Sequence, residues 1–172
     1  MKQSNIILIV VIVVVLGIAG LWFGGVFQRE AAEEAAENAI EAATNGSANV
    51  ELDTDGSMIF ETDEATMEIN SGGAELPDGF PTDVYVVDGT IQAAASTAED
   101  AYTLTIQTDK AVADVKAEYQ EQLAAEGWAQ TLSIDLEGGS SLSAEKDNRT
   151  LTVSISHPED MTIVVVGVYP QE

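Results

Sequence analysis

The 172-residue chain has no cysteine, one histidine, four prolines and only six basic residues against 30 acidic ones. Without cysteine there is no disulfide scaffold, thiolate metal site, cysteine nucleophile or lipid-modified N-terminal cysteine. A formal charge of −24 leaves nothing to neutralise phosphates, so nucleic acid is excluded as a partner. Also missing are Gly-x-Gly-x-x-Gly, the Walker loop, Gly-x-Ser-x-Gly and His-Glu-x-x-His. The length accommodates one compact domain plus an anchor or tail.

Charge is unevenly placed. From Ile6 to Phe27 no residue is charged, and the run is densest in Ile6–Leu16. A helix of that length spans roughly 33 Å, enough to cross a hydrocarbon core. Lys2 and Gly17-Ile-Ala19 also suit a cleaved signal peptide, but Leu21-Trp-Phe23 and Val26-Phe27 extend the apolar run beyond any such site. Trp22, Phe23 and Phe27 sit where an interfacial aromatic belt belongs. The expectation is a retained single-pass anchor over residues 1–29, with membrane lipid as its partner. The short leading tail and long following part favour a cytoplasmic N-terminus and a domain outside the cell membrane. Gly20 and Gly24 match the small-xxx-small pattern of close membrane-helix contact, although glycine is common in such helices generally.

All 30 acids lie from Glu30 onward, offset only by Lys110, Lys116, Lys146 and Arg149. Residues 30–46 are Ala/Glu-rich, with high helix propensity and few large apolar residues, which predicts a helical stalk ending at Asn45-Gly46. Residues 47–73 alternate in three short runs, Asn49–Asp53, Met58–Thr62 and Met67–Asn70, separated by polar turns; this predicts a β-meander. Leu76-Pro-Asp-Gly-Phe-Pro81 then presets an extended connector.

Residues 74–172 read as an α+β domain: an antiparallel sheet with one packed helix. Val84–Val87, Tyr102–Gln107, Gln130–Leu136, Ser140–Glu145, Leu151–Ser156 and Met161–Tyr169 are the expected strands. A helix from Lys110 to about Glu126, capped by Asp109, places Val112, Val115, Tyr119 and Leu123 on one face. Gly127-Trp128 reads as a glycine-terminated end with Trp128 packing back on Leu123.

Together, the Leu76-Pro-Asp-Gly-Phe-Pro-Thr-Asp-Val84 segment, the helix ending Glu126-Gly-Trp128 and the closing strand pair resemble an uncharacterised family of small membrane-anchored prokaryotic envelope proteins. That resemblance implies an envelope location and this architecture. It carries no catalytic residues. The family's Val-Pro-x-Tyr-Pro-Gly run is replaced here by Val84-Tyr-Val-Val-Asp-Gly89.

Chemistry is sparse. His157 falls in a polar turn with no nucleophile or metal partner placed beside it. With 30 carboxylates, any acid pair arises by chance and none stands out as a glycosidase pair. Asp53, Asp55, Ser57, Glu61 and Glu64 fall at EF-hand ligand positions, but Met58 occupies the position that needs glycine and the flanks alternate like strands. No catalytic, cofactor or metal residue is therefore assigned, and no enzyme is expected. The expected function is a non-enzymatic extracytoplasmic accessory or interaction subunit. Its partner would be a membrane or envelope protein or a second copy, met through Glu118, Glu121 and Gln122 on the outer helix face. The alternative is an envelope ligand- or cation-binding protein, with a pocket lined by Tyr119, Trp128 or Tyr102.

Overall fold

The computed structural model describes residues 49–52, 58–61, 65–70, 73–158 and 160–171. The expected anchor, stalk, Gly20 and Gly24 lie outside them. Among the described residues no helix is long and apolar enough to cross a membrane.

The strands are β1 (Asn49–Leu52), β2 (Met58–Glu61), β3 (Ala65–Ile69), β4 (Thr90–Thr97), β5 (Tyr102–Thr108), β6 (Ala129–Leu136), β7 (Gly139–Lys146), β8 (Arg149–Ser156) and β9 (Thr162–Pro170). One helix, α1 (Val112–Ala125), joins β5 to β6. The sheet order is β1-β2-β3-β4-β5-β9-β8-β7-β6. Strands β3 to β9 with α1 make the antiparallel α+β body. The pairing of β3 with β4 joins the early meander to the main sheet.

The core lies on one face of this sheet. Alternation puts Tyr102, Leu104 and Ile106 of β5 inward, level with Val168, Val166 and Val164 of β9. Leu151, Val153 and Ile155 of β8 continue that layer. Leu142 and Ala144 of β7 complete it, and Val115, Tyr119 and Leu123 of α1 pack into the same cluster. Fully burying each such aliphatic side chain contributes about 1.5–3 kcal/mol. Met67 is buried too, but by register it shares the opposite face with Ala95 and stands outside this cluster.

Local chemistry explains the ends of the elements. Gly127, at φ +82°, terminates α1. Trp128 N–H donates to Leu123 C=O at 2.8 Å and Gly127 N–H to Ala124 C=O at 3.2 Å, the paired bonds of a Schellman end. Asp147 and Asn148 both take positive φ between the paired residues Lys146 and Arg149, a type I′ turn matched to strand twist.

Two expectations are corrected. Val84–Val87 is not a strand. Phe80 N–H bonds Pro77 C=O and Val84 N–H bonds Pro81 C=O, so successive turns carry the connector across the core, where Val84 and Val87 are buried three residues apart. The strand instead is β4, an alanine-rich stretch with weak β propensity. Asp109 does not cap α1, because the N-cap is Ala111, without a side-chain bond. Two residues upstream, Asp109 is out of register with the first helical amides, and the Thr108 hydroxyl accepts from Lys110 N–H instead.

Candidate functional site

Strand β6 closes the sheet and has no neighbour on its outer side among the described residues. Ser133 is paired with the core residue Leu142, and Asp135 with buried Ser140, so both lie on the helix-side face. Lys116 of α1 reaches Asp135 there at 2.6 Å, and the Ser140 hydroxyl lies 3.2 Å from both the Ile134 carbonyl and Asp135 Oδ1. Chiefly the Lys116 hydrogen bond, then its charge, lowers the Asp135 pKa. Gln120 adds a 3.1 Å bond to Gln130.

These contacts hold the helix side of β6 and leave Leu132, Ile134 and Leu136 on the opposite face, 44%, 43% and 63% exposed. Their neighbours in register are Ser143, Ser141 and Gly139 of β7, then Thr152, Ser154 and Ser156 of β8. The outer face thus runs from an apolar edge into uncharged hydroxyls. An edge strand with alternating exposed aliphatics is a template for another strand.

A second cluster pins the connector. Arg149 donates from both Nη atoms to Asp83, at 3.0 and 2.7 Å, and Lys146 reaches Asp83 Oδ2 at 2.7 Å. Trp128 Nε1–H donates to the Asp83 carbonyl at 2.8 Å, and the Arg149 guanidinium stands 5.0 Å from the Trp128 ring centroid. The Arg149 hydrogen bond is the largest influence on Asp83; with Lys146 it outweighs desolvation and brings the carboxyl down to about 2.

Nearby, Lys110 Nζ lies 2.8 Å from both Glu118 oxygens and 3.7 Å from Asp88, and Tyr85 O–H donates to Glu118 at 2.9 Å. The Glu118 pKa is lowered, first by the Lys110 bond and then by Tyr85. The Tyr85 pKa is raised, first by desolvation and then by Glu118. Each of the four cations that follow residue 30 is therefore held by a carboxylate of its own domain.

The residues singled out in the sequence do not converge. Glu118 is engaged inward with Lys110 and Tyr85, whereas Glu121 and Gln122 are exposed. The outer helix face is thus split. Tyr119, Trp128 and Tyr102 are core residues, 0%, 4% and 7% exposed, and do not line a pocket together. The Tyr119 hydroxyl makes no hydrogen bond of good geometry. Desolvation raises its pKa, and the Val87 amide only partly opposes this.

An open depression of about 740 Å³ borders Asp88, Thr90, Gln92, Gln107, Thr108 and Lys110. Its glutamines bond each other at 3.1 Å, and its cation is the one held by Glu118. His157 is exposed, as expected of a turn histidine. Because the Thr162 hydroxyl donates to the Lys110 carbonyl at 2.7 Å, His157 Nδ1 is the donor in its 3.0 Å contact with Thr162.

Among the described residues no three His, Cys, Asp or Glu side chains group as metal ligands. Of the stretch compared with an EF-hand, residues 53–57 and 62–64 lie outside the described residues; its flanks are strands β1 and β3, not helices. Sequence reasoning missed β6 as a surface, because its alternation of Leu132, Ile134 and Leu136 with Ser133 and Asp135 is the same as that of the central strand β5.

No curated protein and no solved structure matches the chain. The comparisons give no support to the resemblance to envelope proteins. Residues 88–162, less than half of the chain but spanning β4 to β8 and α1, match the model of a START domain-like family, and that segment is what the chain has in common with a known family.

Proposed function

We propose that this chain is a non-enzymatic interaction domain, anchored to the cell membrane on its N-terminal helix and acting outside it as an accessory subunit of an envelope or membrane assembly. One observation carries the reading. Leu132, Ile134 and Leu136 stand exposed on a sheet edge that has no neighbouring strand among the described residues, while the polar side of the same strand is tied to α1. In the Asp83 and Glu118 clusters each carboxylate is engaged by cations or a hydroxyl of the domain itself.

The tagged full-length protein, purified in mild detergent, tests this. A stoichiometric partner, foreign or a second copy, should survive moderate salt and be lost with Ile134→Lys. Equal recovery of the partner from both proteins, or recovery of the monomer alone at concentrations that would populate a weak dimer, refutes docking at this edge.

The alternative, an envelope ligand- or cation-binding protein, has its place in the depression beside Lys110. Calcium or a small anion would then have to displace the Glu118–Lys110 pair, and titration of either into the protein would register heat. The edge-strand reading is preferred because its surface needs no rearrangement.

A further inference from the structure

We propose that β6 pairs antiparallel with β6 of a second copy, about a two-fold axis through Ile134, so that one sheet runs through both molecules. This deepens the interaction reading above, rests on it, and names the partner.

The strand is close to self-complementary. In Leu132-Ser-Ile-Asp-Leu136 an antiparallel pairing centred on Ile134 sets Leu132 against the second copy's Leu136 and Ile134 against Ile134. All three exposed aliphatics are then covered by their own counterparts. On the helix side the same register sets Asp135 against Ser133, so no carboxylate meets its own copy. Such an isologous arrangement is what a two-fold interface demands.

Charge selects this strip. Two chains that each carry 30 acids repel one another, so they can meet only where carboxylates are sparse or compensated. Gly127 to Ile134 has no charged residue, and the Asp135 charge is matched by Lys116 at 2.6 Å. The adjoining outer face presents Ser141, Ser143, Thr152 and Ser154 beside the seam. The edge also lacks the lysines and prolines that block strand addition. Its one irregularity, between Gln130 and Leu132, lies before the self-complementary segment, which pairs regularly with β7.

A five-residue seam is small against the roughly 1,200–2,000 Å² of a stable interface, so the dimer exchanges when dilute and a covalent trap is the fitting readout. Because the chain has no cysteine, each introduced thiol is unique. Full-length Ile134→Cys protein in mild detergent, treated with a mild oxidant, should give a disulfide-linked dimer that reductant dissolves. Thr152→Cys, two strands inside the same face, should not. Leu132→Cys and Leu136→Cys proteins should cross-link more when mixed than either does alone, which fixes the register.

If Ile134→Cys cross-links no more than Thr152→Cys, self-pairing is overturned. Should a different protein then co-purify and be lost with Ile134→Lys, the interaction reading stands without it. Neither a cross-link nor a partner would overturn both.

Discussion

Replacing Asp83 with asparagine tests the connector's latch and the physics assigned to it. The carboxylate receives two bonds from Arg149 and one from Lys146, and its side chain is 20% exposed. A fall from 3.8 to about 2 corresponds to roughly 2.4 kcal/mol if the pair were dry. Water reaches all three side chains, so screening reduces this to about 1–2 kcal/mol. Asparagine also leaves two partly buried cations facing each other, which brings the expected loss near neutral pH to about 2 kcal/mol. The sign follows from linkage. A carboxyl whose folded pKa is depressed stabilises the fold fully above its unfolded value near 4, and that stabilisation disappears as pH falls towards 2. Urea unfolding of the full-length protein in mild detergent, on a Trp22→Phe background so that emission reports Trp128, should show Asp83→Asn less stable at pH 7. The difference between the two proteins should close as pH falls from about 4 to 2. Equal midpoints at pH 7 would refute the latch, and a gap undiminished at pH 2 would refute its electrostatic origin.

Three further substitutions follow from single contacts. Tyr119→Phe removes a fully buried hydroxyl that makes no hydrogen bond of good geometry, so the urea midpoint should stay level or rise; a loss above about 1 kcal/mol would mean that the contact with the Val87 amide is a full hydrogen bond. Gly127→Ala meets no atom within 4 Å but forces an L-residue to φ +82°, so it should cost about 1 kcal/mol through the backbone alone. Lys116→Ala breaks an ion pair whose carboxylate is 75% exposed, so it should leave the melting midpoint unchanged within error at 0.15 M salt.

The body of the fold was legible wherever alternation meets a single buried face. β5, β7, β8 and β9 were all anticipated, because Leu104, Leu142, Val153 and Val166 recur at period two against one helix stripe. The Schellman end was equally local, written in Gly127 and Trp128. What failed depended on distant partners. Alanine-rich β4 is a strand because β3 and β5 flank it, and Val84–Val87 resembles a strand while its backbone follows two turns. The expected interaction face is also shaped by distant partners. Glu118 is drawn inward by Lys110, eight residues away, and by Tyr85, 33 residues away. Conversely, β6 has the alternation of a core strand. Its exposure arises from the strand order, since the chain leaves β5 through α1 and re-enters at the far edge.

The acidic surplus and the bare edge strand make opposite demands on the solvent. With Lys110, Lys116, Lys146 and Arg149 all held by carboxylates of the domain itself, the field outside has one sign and no local pattern of cations to recognise. Association driven by that field would take any cationic partner and would weaken as salt shortens the Debye length to about 8 Å at 0.15 M. Docking at β6 behaves in reverse. Its attraction comes from backbone hydrogen bonds and aliphatic burial, which salt barely touches, while the repulsion between two acidic bodies is what salt removes. The solubility at high salt that a dense carboxylate surface confers and strand pairing between copies are thus compatible. The same carboxylates that keep the domains dispersed in dilute buffer cease to oppose the seam where ions are plentiful. The direction of the salt response at Ile134 therefore separates a surface that selects its partner by shape from one that merely attracts positive charge.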